Sequence, residues 1–421
     1  MKRWVVLAKR ADFEAIGRKL HISPMLARIA RNRDMESPEE IGRFLFGTPD
    51  DLHDPALLKD IKMACTLLQT AIESGSRIRV IGDYDVDGVC ATYILVSSLK
   101  MLGANVSYQL PDRVRDGYGL NRRIIDEADR DGIAMILTCD NGIAAVDEIA
   151  YAKELGMCVI VTDHHEPQET LPAADAIIDP KQKECTYPYP EICGSFVAYK
   201  LVQMLCAKMK RALPDDLTEF AAFATVCDVM PLLDENHILV KYGIEKMKTT
   251  TNIGLASLIR VTGCVPERLN AYQLGFVLGP CVNATGRLDL ADRALQLFLT
   301  DEEKTAISIA QELRNLNEER KGMTEANACK AIRIVSEGDA HNPPMLSDQV
   351  LVVYLPDCHE SIAGIVAGKV REQYYKPTIV LTNAQTDAGE PSGTVKGSAR
   401  SIEAYNMFEA LQEISKLFIK F

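Results

Sequence analysis

Between residues 77 and 180 short apolar runs alternate with amphipathic stretches. The apolar runs are Ile78 to Ile81, Val106 to Leu110, Ala134 to Cys139, Cys158 to Thr162 and Ala176 to Asp179. Between them lie segments such as Val89 to Leu102 and Ala144 to Leu155, whose apolar residues recur at helical spacing. Strands that alternate with helices in this way predict a parallel, doubly wound α/β sheet. Residues up to about 76 read as helices joined by short breaks, with Ser37-Pro38-Glu39-Glu40 opening one and Pro55 opening the next. Phe196 to Met230 and Tyr242 to Leu299 read as mainly helical and complete the first domain. Thr300, with Glu303 three residues on, offers a capping box for a proline-free segment reaching about Glu337. Its apolar positions Ile307, Ala310, Leu313 and Leu316 predict a long, partly packed connecting helix. Strands at Val350 to Leu355 and Thr378 to Leu381, with a helix around Ile362 to Tyr374, begin a second, smaller α/β unit. The expected organisation is a helical region at 1–76, an α/β domain at 77–299, a connecting helix at 300–340 and a second α/β domain at 341–421.

Composition narrows the class. A chain of 421 residues with 47% hydrophobic content is long enough for two or more cores, and nothing in it reads as disordered. A formal charge of −12 argues against a nonspecifically basic nucleic-acid binder but leaves room for a local basic channel. The 12 cysteines form no CxxC pair or regular framework, and no signal pattern opens the chain. Reduced thiols in a cytoplasmic protein are expected. No apolar run approaches the roughly 18 to 20 residues that span a bilayer, so no membrane role is expected.

The chemistry lies at the strand ends. Asp83-Tyr84-Asp85-Val86-Asp87-Gly88 follows the first run, Asp140-Asn141-Gly142 the third, and Asp163-His164-His165 the fourth. Ligands of doubly wound sheets bind at the carboxyl ends of strands. Carboxylates gathered so closely are costly unless a cation neutralises them. Asp and His donors without thiolate partners suit Mn²⁺ or Mg²⁺, of which Mn²⁺ is favoured. Two ions sharing a carboxylate bridge, for which Asp140 is the candidate, can stabilise both ends of a phosphodiester displacement, with His164 a nitrogen ligand. Other readings compete. The DxDxDG string also suits a calcium loop, although its twelfth position is Ile94 instead of Glu. Asp83 and Asp85 also suit the nucleophile and acid of a haloacid dehalogenase-like phosphatase, which leaves the His pair unexplained. Asp140 alone reads more readily as a helix N-cap.

Taken together, these strings resemble the DHH phosphoesterase superfamily, named for the last triplet. Thr225-Val226-Cys227-Asp228-Val229-Met230-Pro231-Leu232 resembles its fourth motif, and Asn283-Ala284-Thr285-Gly286-Arg287 a motif of RecJ-type single-strand-specific DNA exonucleases. His359 to Ala367 and Gly397-Ser398-Ala399-Arg400-Ser401 resemble the two motifs of the DHH-associated second domain. The resemblance covers about Leu52 to the end. It implies metal ligation by Asp85, Asp87, Asp140, His164 and Asp228, with Asp83 a ligand or close neighbour. It also implies that His165 faces the phosphate, stabilising charge or protonating the leaving 3′ oxygen, while Asp163 orients the His pair. Arg113, Arg287, His359, Ser398 and Arg400 become candidates for the DNA backbone or its 5′ phosphate.

The function so implied is a Mn²⁺-dependent 5′ to 3′ single-stranded DNA exonuclease of recombination and repair, with a helicase and a single-strand-binding protein as candidate partners. Alternatives are an oligonucleotide or cyclic-dinucleotide phosphodiesterase, or a DNA-binding or scaffold fragment without catalysis. The first sits poorly with Asn283 to Arg287, and the second with an intact ligand set. RecJ-type chains continue past the point where this one ends at Phe421. The resemblance therefore implies a truncated chain with an incomplete second domain and no oligonucleotide-binding barrel.

Overall fold

The computed structural model describes residues 4–112, 119–285, 291–385 and 391–419. They form two compact units, the first taking in most of the chain up to Ala310 and the second running mainly from Gln311.

The first unit is built on five parallel strands, β1 (Arg77–Ile81), β2 (Asn105–Gln109), β3 (Met135–Cys139), β4 (Cys158–Thr162) and β5 (Ala176–Ile178), in the order β2-β1-β3-β4-β5. That order places a topological switch point between β1 and β3, where connections leave for opposite faces and a crevice opens at the strand ends. On one face Ile81, Ile136, Val159 and Val161 pack against Ile124, Ile125 and Ala128 of α6 (Arg122–Arg130) and Ile149 and Ala152 of α7 (Val146–Glu154). The other face is covered by α4 (Ile61–Glu73), α5 (Val86–Met101) and α8 (Gly194–Lys208). Helix α5 is buried along nearly its whole length because α8 and α9 (Leu217–Cys227) close over the side away from the sheet. Its run of Val89, Cys90, Ala91, Ile94, Leu95 and Val96 is apolar all round, as that position requires. The doubly wound sheet expected from the alternating pattern is present, with strand limits within about one residue of expectation.

The N-terminal region packs α1 (Phe13–Leu20), α2 (Pro24–Asn32) and α3 (Pro38–Phe46) around Ile16, Ala27, Ala30 and Ile41. The expected start at Ser37 forms a capping box, Ser37 Oγ accepting from Glu40 N at 3.1 Å and Glu40 Oε2 accepting from Ser37 N at 3.2 Å. Pro55 opens only the 3₁₀ turn Pro55–Leu57, and the next helix begins at Ile61. This region is tied to the rest by a buried polar cluster between α8 and α10 (Asp234–Met247). Lys200 Nζ lies 2.9 Å from Glu235 Oε2 and donates to the His53 carbonyl at 2.6 Å, while Tyr187 Oη donates to Glu235 Oε1 at 2.5 Å. Both charged side chains are 0% exposed, and burial holds the Lys200 ammonium below its usual pKa.

Helix α11 (Ile253–Val261) is followed by α12 (Ala271–Gln273), which runs through a π turn at Leu274–Leu278 into α13 (Gly279–Thr285); α14 (Ala291–Leu299) comes next. The long helix α15 spans Glu303–Glu337. Its buried residues Ala306, Ala310, Leu313, Asn317, Thr324, Ala328, Ala331 and Val335 keep one stripe throughout. The cap expected at Thr300 is displaced. Thr300 Oγ1 accepts from Glu302 N, and the Glu302 carbonyl accepts from Ala306 N, so the helix starts later than the sequence pattern indicates.

In the second unit β6 (Leu351–Tyr354) pairs parallel with β7 (Thr378–Gln385), which pairs antiparallel with β8 (Pro391–Arg400). Helix α16 (Glu360–Tyr374) packs Ile362, Val366 and Val370 on Leu351, Val353 and Val380, and α17 (Met407–Gln412) follows. Gly397-Ser398-Ala399 lies within strand β8, not in a loop. No helix among the described residues is long and apolar enough to cross a membrane, and the 12 cysteines are free thiols.

Glu235→Gln is expected to lower stability by about 3 to 5 kcal/mol, because it leaves Lys200 buried without its countercharge. Replacing both partners with Lys200→Met and Glu235→Leu is expected to recover most of that loss. Urea unfolding midpoints check both; equal loss in the single and double variants would contradict the assignment.

Candidate metal centre

The carboxyl ends of β1, β3 and β4 bring the acidic strings of the sequence to one place. After β1 the chain turns directly into α5, with Asp85 as N-cap accepting from Gly88 N at 3.0 Å. Gly88 is required by close approach, since a Cβ there would lie 2.5 Å from the Asp83 backbone. Asp87, in the first turn of α5, faces the N-terminus of α8. Its carboxylate accepts from Gly194 N at 2.6 Å and Ser195 N at 2.7 Å, and Ser195 Oγ donates to its carbonyl at 2.7 Å. These two amides fix the orientation of the Asp87 side chain at the crevice, with Oδ2 3.6 Å from His164 Nε2.

After β3, Asp140 adopts a left-handed backbone with φ 60°, a conformation that Asp tolerates better than most residues. Gly194 packs so tightly on it that an added Cβ would lie 2.7 Å from Asp140 Cβ. Asn141 braces the turn, donating to the carbonyls of Ile81 at 3.1 Å and Cys139 at 2.9 Å. After β4, Asp163 organises the His pair: Oδ1 accepts from His164 N at 2.8 Å and His165 Nδ1 at 2.8 Å, and Oδ2 from Ile143 N at 2.9 Å. Asp228 joins from the C-terminal end of α9. The residue after it, Val229, has φ 58° and is 85% exposed, an unusual conformation for a β-branched side chain.

His164 stands at the centre. Its Nε2 lies 3.1 Å from Asp140 Oδ1, 3.6 Å from Asp87 Oδ2 and 3.7 Å from Asp228 Oδ2. Among the described residues three sets of donors form, the atoms within each lying within 4.8 Å of one another: Asp140 with His164 and His165, Asp87 with His164 and Asp228, and Asp83 with Asp85 and Asp140. Asp140 shares one set with Asp83 and Asp85 and another with His164 and His165, and His164 in turn shares a set with Asp87 and Asp228, so Asp140 and His164 link the three groups of donors. The expected residues Asp83, Asp85, Asp87, Asp140, Asp163, His164, His165 and Asp228 are thus all brought together.

Their electrostatics report unrelieved crowding. Burial, then the charge of neighbouring Asp87, pushes Asp85 and Asp140 above the usual carboxylate range, and the same causes raise Asp228 to about 8. Burial lowers His164, so its imidazole is neutral and Nε2 is available as a ligand. His165 behaves oppositely. Burial would lower it, but the hydrogen bond and charge of Asp163, with Asp228 and Asp87, raise it. Asp163 itself is held low, burial being outweighed by the His165 hydrogen bond and two backbone amides.

In the second unit His359 caps α16, its Nδ1 accepting from Ser361 N at 3.3 Å, and Ser398 and Arg400 lie on β8. The Arg400 guanidinium packs over Gly364, where a Cβ would meet it at 2.6 Å, and donates to the Ala399 carbonyl. Arg113 and Arg287 lie outside the described residues. Three features near the centre were not singled out in the sequence: the Gly194 and Ser195 amides as a pair, Asp179, and Lys181. A Gly-Ser pair opening a helix was the available signal for the first. Asp179 and Lys181 follow a strand only three residues long, and neither belongs to a cluster in sequence.

Residues 77–225 match the N-terminal domain of the DHH family and residues 347–418 the DHHA1 domain. The chain is 37% identical over 412 residues to the single-stranded-DNA-specific exonuclease RecJ of Bacillus subtilis strain 168, covering 98% of this chain and 50% of that protein. It is 33% identical over 431 residues to the RecJ of Escherichia coli K12, covering 99% and 73%. It therefore spans about half the length of the first relative and nearly three quarters of the second. A crystal structure of exonuclease RecJ bound to manganese aligns with a TM-score of 0.74 at 32% identity, covering 86% of this chain and 87% of that one. With both domains, their order and nearly the whole chain matched, the protein belongs to the RecJ family of DHH–DHHA1 proteins.

Proposed function

We propose that the chain is the catalytic part of a metal-dependent exonuclease that hydrolyses phosphodiester bonds of single-stranded DNA, releasing nucleotides from the 5′ end. The observation that carries this reading is the convergence of Asp83, Asp85, Asp87, Asp140, His164 and Asp228 on shared donor positions. The donors fit a hard divalent cation. They are carboxylate oxygens and one neutral imidazole, no thiolate is among them, and His164 Nε2 faces three carboxylates at once. Asp83, Asp85, Asp87, Asp140, His164 and Asp228 would hold the metal, with Asp140 and His164 shared between neighbouring groups of donors. Bound there, Mn²⁺ or Mg²⁺ would supply Lewis-acid charge for the phosphodiester oxygens and lower the pKa of the attacking water.

The protein groups do the rest. The α8 N-terminus and the Asp85 cap hold two carboxylates in fixed directions, so little reorganisation is needed when substrate arrives. His165 is half-exposed, and its Nδ1 is bound to Asp163 at 2.8 Å. Its pKa raised by Asp163, His165 would present a hydrogen-bond donor to the scissile phosphate and, when protonated, would pass its proton to the leaving 3′ oxygen. Arg113, Arg287, His359, Ser398 and Arg400 are proposed to bind the strand and its 5′ phosphate, Arg forks being suited to phosphate. The free thiols fit a cytoplasmic protein. An enzyme consuming single strands in recombination and repair would work beside a helicase that exposes them and a single-strand-binding protein that coats them.

The raised carboxyls give a pH dependence with a definite sign. A carboxyl whose folded pKa is raised favours the folded state below its unfolded pKa of about 3.9 and withdraws that contribution as pH rises through the folded value. With Asp228 at about 8, the metal-free protein should lose thermal stability between pH 6 and pH 9. Saturating Mn²⁺ should restore it by about 2.7 kcal/mol at a hundredfold excess over Kd, with a larger rise in Tm at pH 8 than at pH 6. Calorimetry with and without EDTA measures this; a metal effect independent of pH would contradict it. In the second experiment, nucleotide release from 5′-phosphorylated single-stranded DNA is followed with Mn²⁺. Asp140→Ala is expected to reduce release by about a thousandfold, because it removes a donor that would hold the cation stabilising the transition state. Equal rates in both proteins would sink the proposal.

A further inference from the structure

Strand β5 ends on the same edge of the sheet as the metal centre, and the segment that follows it, Asp179-Pro180-Lys181-Gln182, is held rigidly. Asp179 Oδ1 accepts from Lys181 N at 2.7 Å. Gln182 Nε2 donates to the carbonyls of Ile177 at 2.8 Å and Asp179 at 3.3 Å. Asp179 is 0% exposed, and its Oδ2 has no hydrogen-bond partner among the described residues. This fixes the backbone from which the Lys181 side chain springs.

Lys181 is not an ordinary surface lysine. Its side chain is only 17% exposed, and Nζ lies 3.2 Å from Oε1 of Glu166, the residue directly after His165. Glu166 is 82% exposed, so that pair is open to solvent on one side and can be exchanged for another anion at small cost. We propose that Lys181 is a substrate-positioning residue of the centre, its ammonium leaving Glu166 to meet a nonbridging phosphate oxygen of the strand beside His165. This rests on the nuclease reading above. A compact ammonium on a flexible stem suits the role, since it follows a moving phosphate without bidentate geometry.

The alternative is that Lys181 only offsets the charge of the carboxylate cluster. Salt dependence separates the two, because only a cation that neutralises a DNA phosphate changes the number of counterions released. The experiment uses the full chain in EDTA, where the strand stays intact, with a 3′-labelled oligodeoxythymidine read by fluorescence anisotropy. Lys181→Gln should weaken binding about tenfold. It should also reduce the magnitude of the slope of log K against log salt by about 0.7. Lys181→Arg should retain the slope. Glu166→Gln, which removes the competing carboxylate, should tighten binding by about twofold to fivefold. Calorimetric Mn²⁺ titration reports any loss of the metal centre itself. If Lys181→Gln changes Mn²⁺ affinity but leaves both the affinity for the strand and the slope unchanged, Lys181 belongs to the charge balance and the proposal falls. Wild-type nucleotide release tests the underlying reading separately. A wild-type chain that neither binds nor degrades the strand overturns both; one that degrades it, with Lys181→Gln indistinguishable in binding, overturns the role of Lys181 alone.

Discussion

Several carboxylates share a crevice too small for their mutual repulsion, and much of the first unit serves to keep them there. Asp87 is aimed inward by two amides of α8, Asp85 by its own capping bond, and Asp140 by a left-handed turn sealed with Gly194. Without a cation, burial and repulsion push Asp85, Asp140 and Asp228 toward protonation. A divalent cation relieves both terms together, turning like-charge repulsion into shared coordination. The folding energy that holds these groups in place is supplied elsewhere. It comes from the apolar packing of α5 between the sheet and α8 with α9, and from the two-sided burial of the parallel strands.

The division of labour within the Asp163-His164-His165 triplet follows from the same geometry. Three consecutive residues leave β4, and the strand end turns them to different tasks. Asp163 is buried and saturated with hydrogen bonds, so it orients. His164 is buried, neutral and turned toward carboxylates, so it is suited to ligation. His165 is half-exposed and has its pKa raised by Asp163, so it is suited to an anion arriving from solvent. One residue further, Glu166 already faces solvent and engages Lys181. The passage from the buried Asp163 to the exposed Glu166 takes four residues.

Much of this was legible in the sequence, for identifiable reasons. Parallel strands buried on both faces are continuous apolar runs, so Ile78 to Ile81 and Cys158 to Thr162 announce themselves, and the Asp-rich strings that follow fall at the ligand edge by topology alone. Asp228 was legible only through its motif, because nothing in local spacing ties the end of α9 to β1. The backbone donors were hidden because amides carry no residue identity. Gly194 and Ser195 are unremarkable letters until α8 is seen to point at Asp87. Lys181 was hidden for another reason: its role depends on where β5 ends relative to β4, which is sheet order and not sequence. At Thr300 the pattern misled, since a Thr with Glu three residues on is a common cap, yet the Glu302 carbonyl starts the helix instead.

The central claim is that Asp140 lies between two cations, and anomalous scattering at the manganese edge from crystals grown with Mn²⁺ tests it most directly. The account predicts two anomalous peaks flanking the Asp140 carboxylate, one beside Asp83 and Asp85 and the other beside Asp87, His164 and Asp228. No peak at the ends of β1, β3 and β4, or manganese bound only elsewhere on the chain, would contradict it.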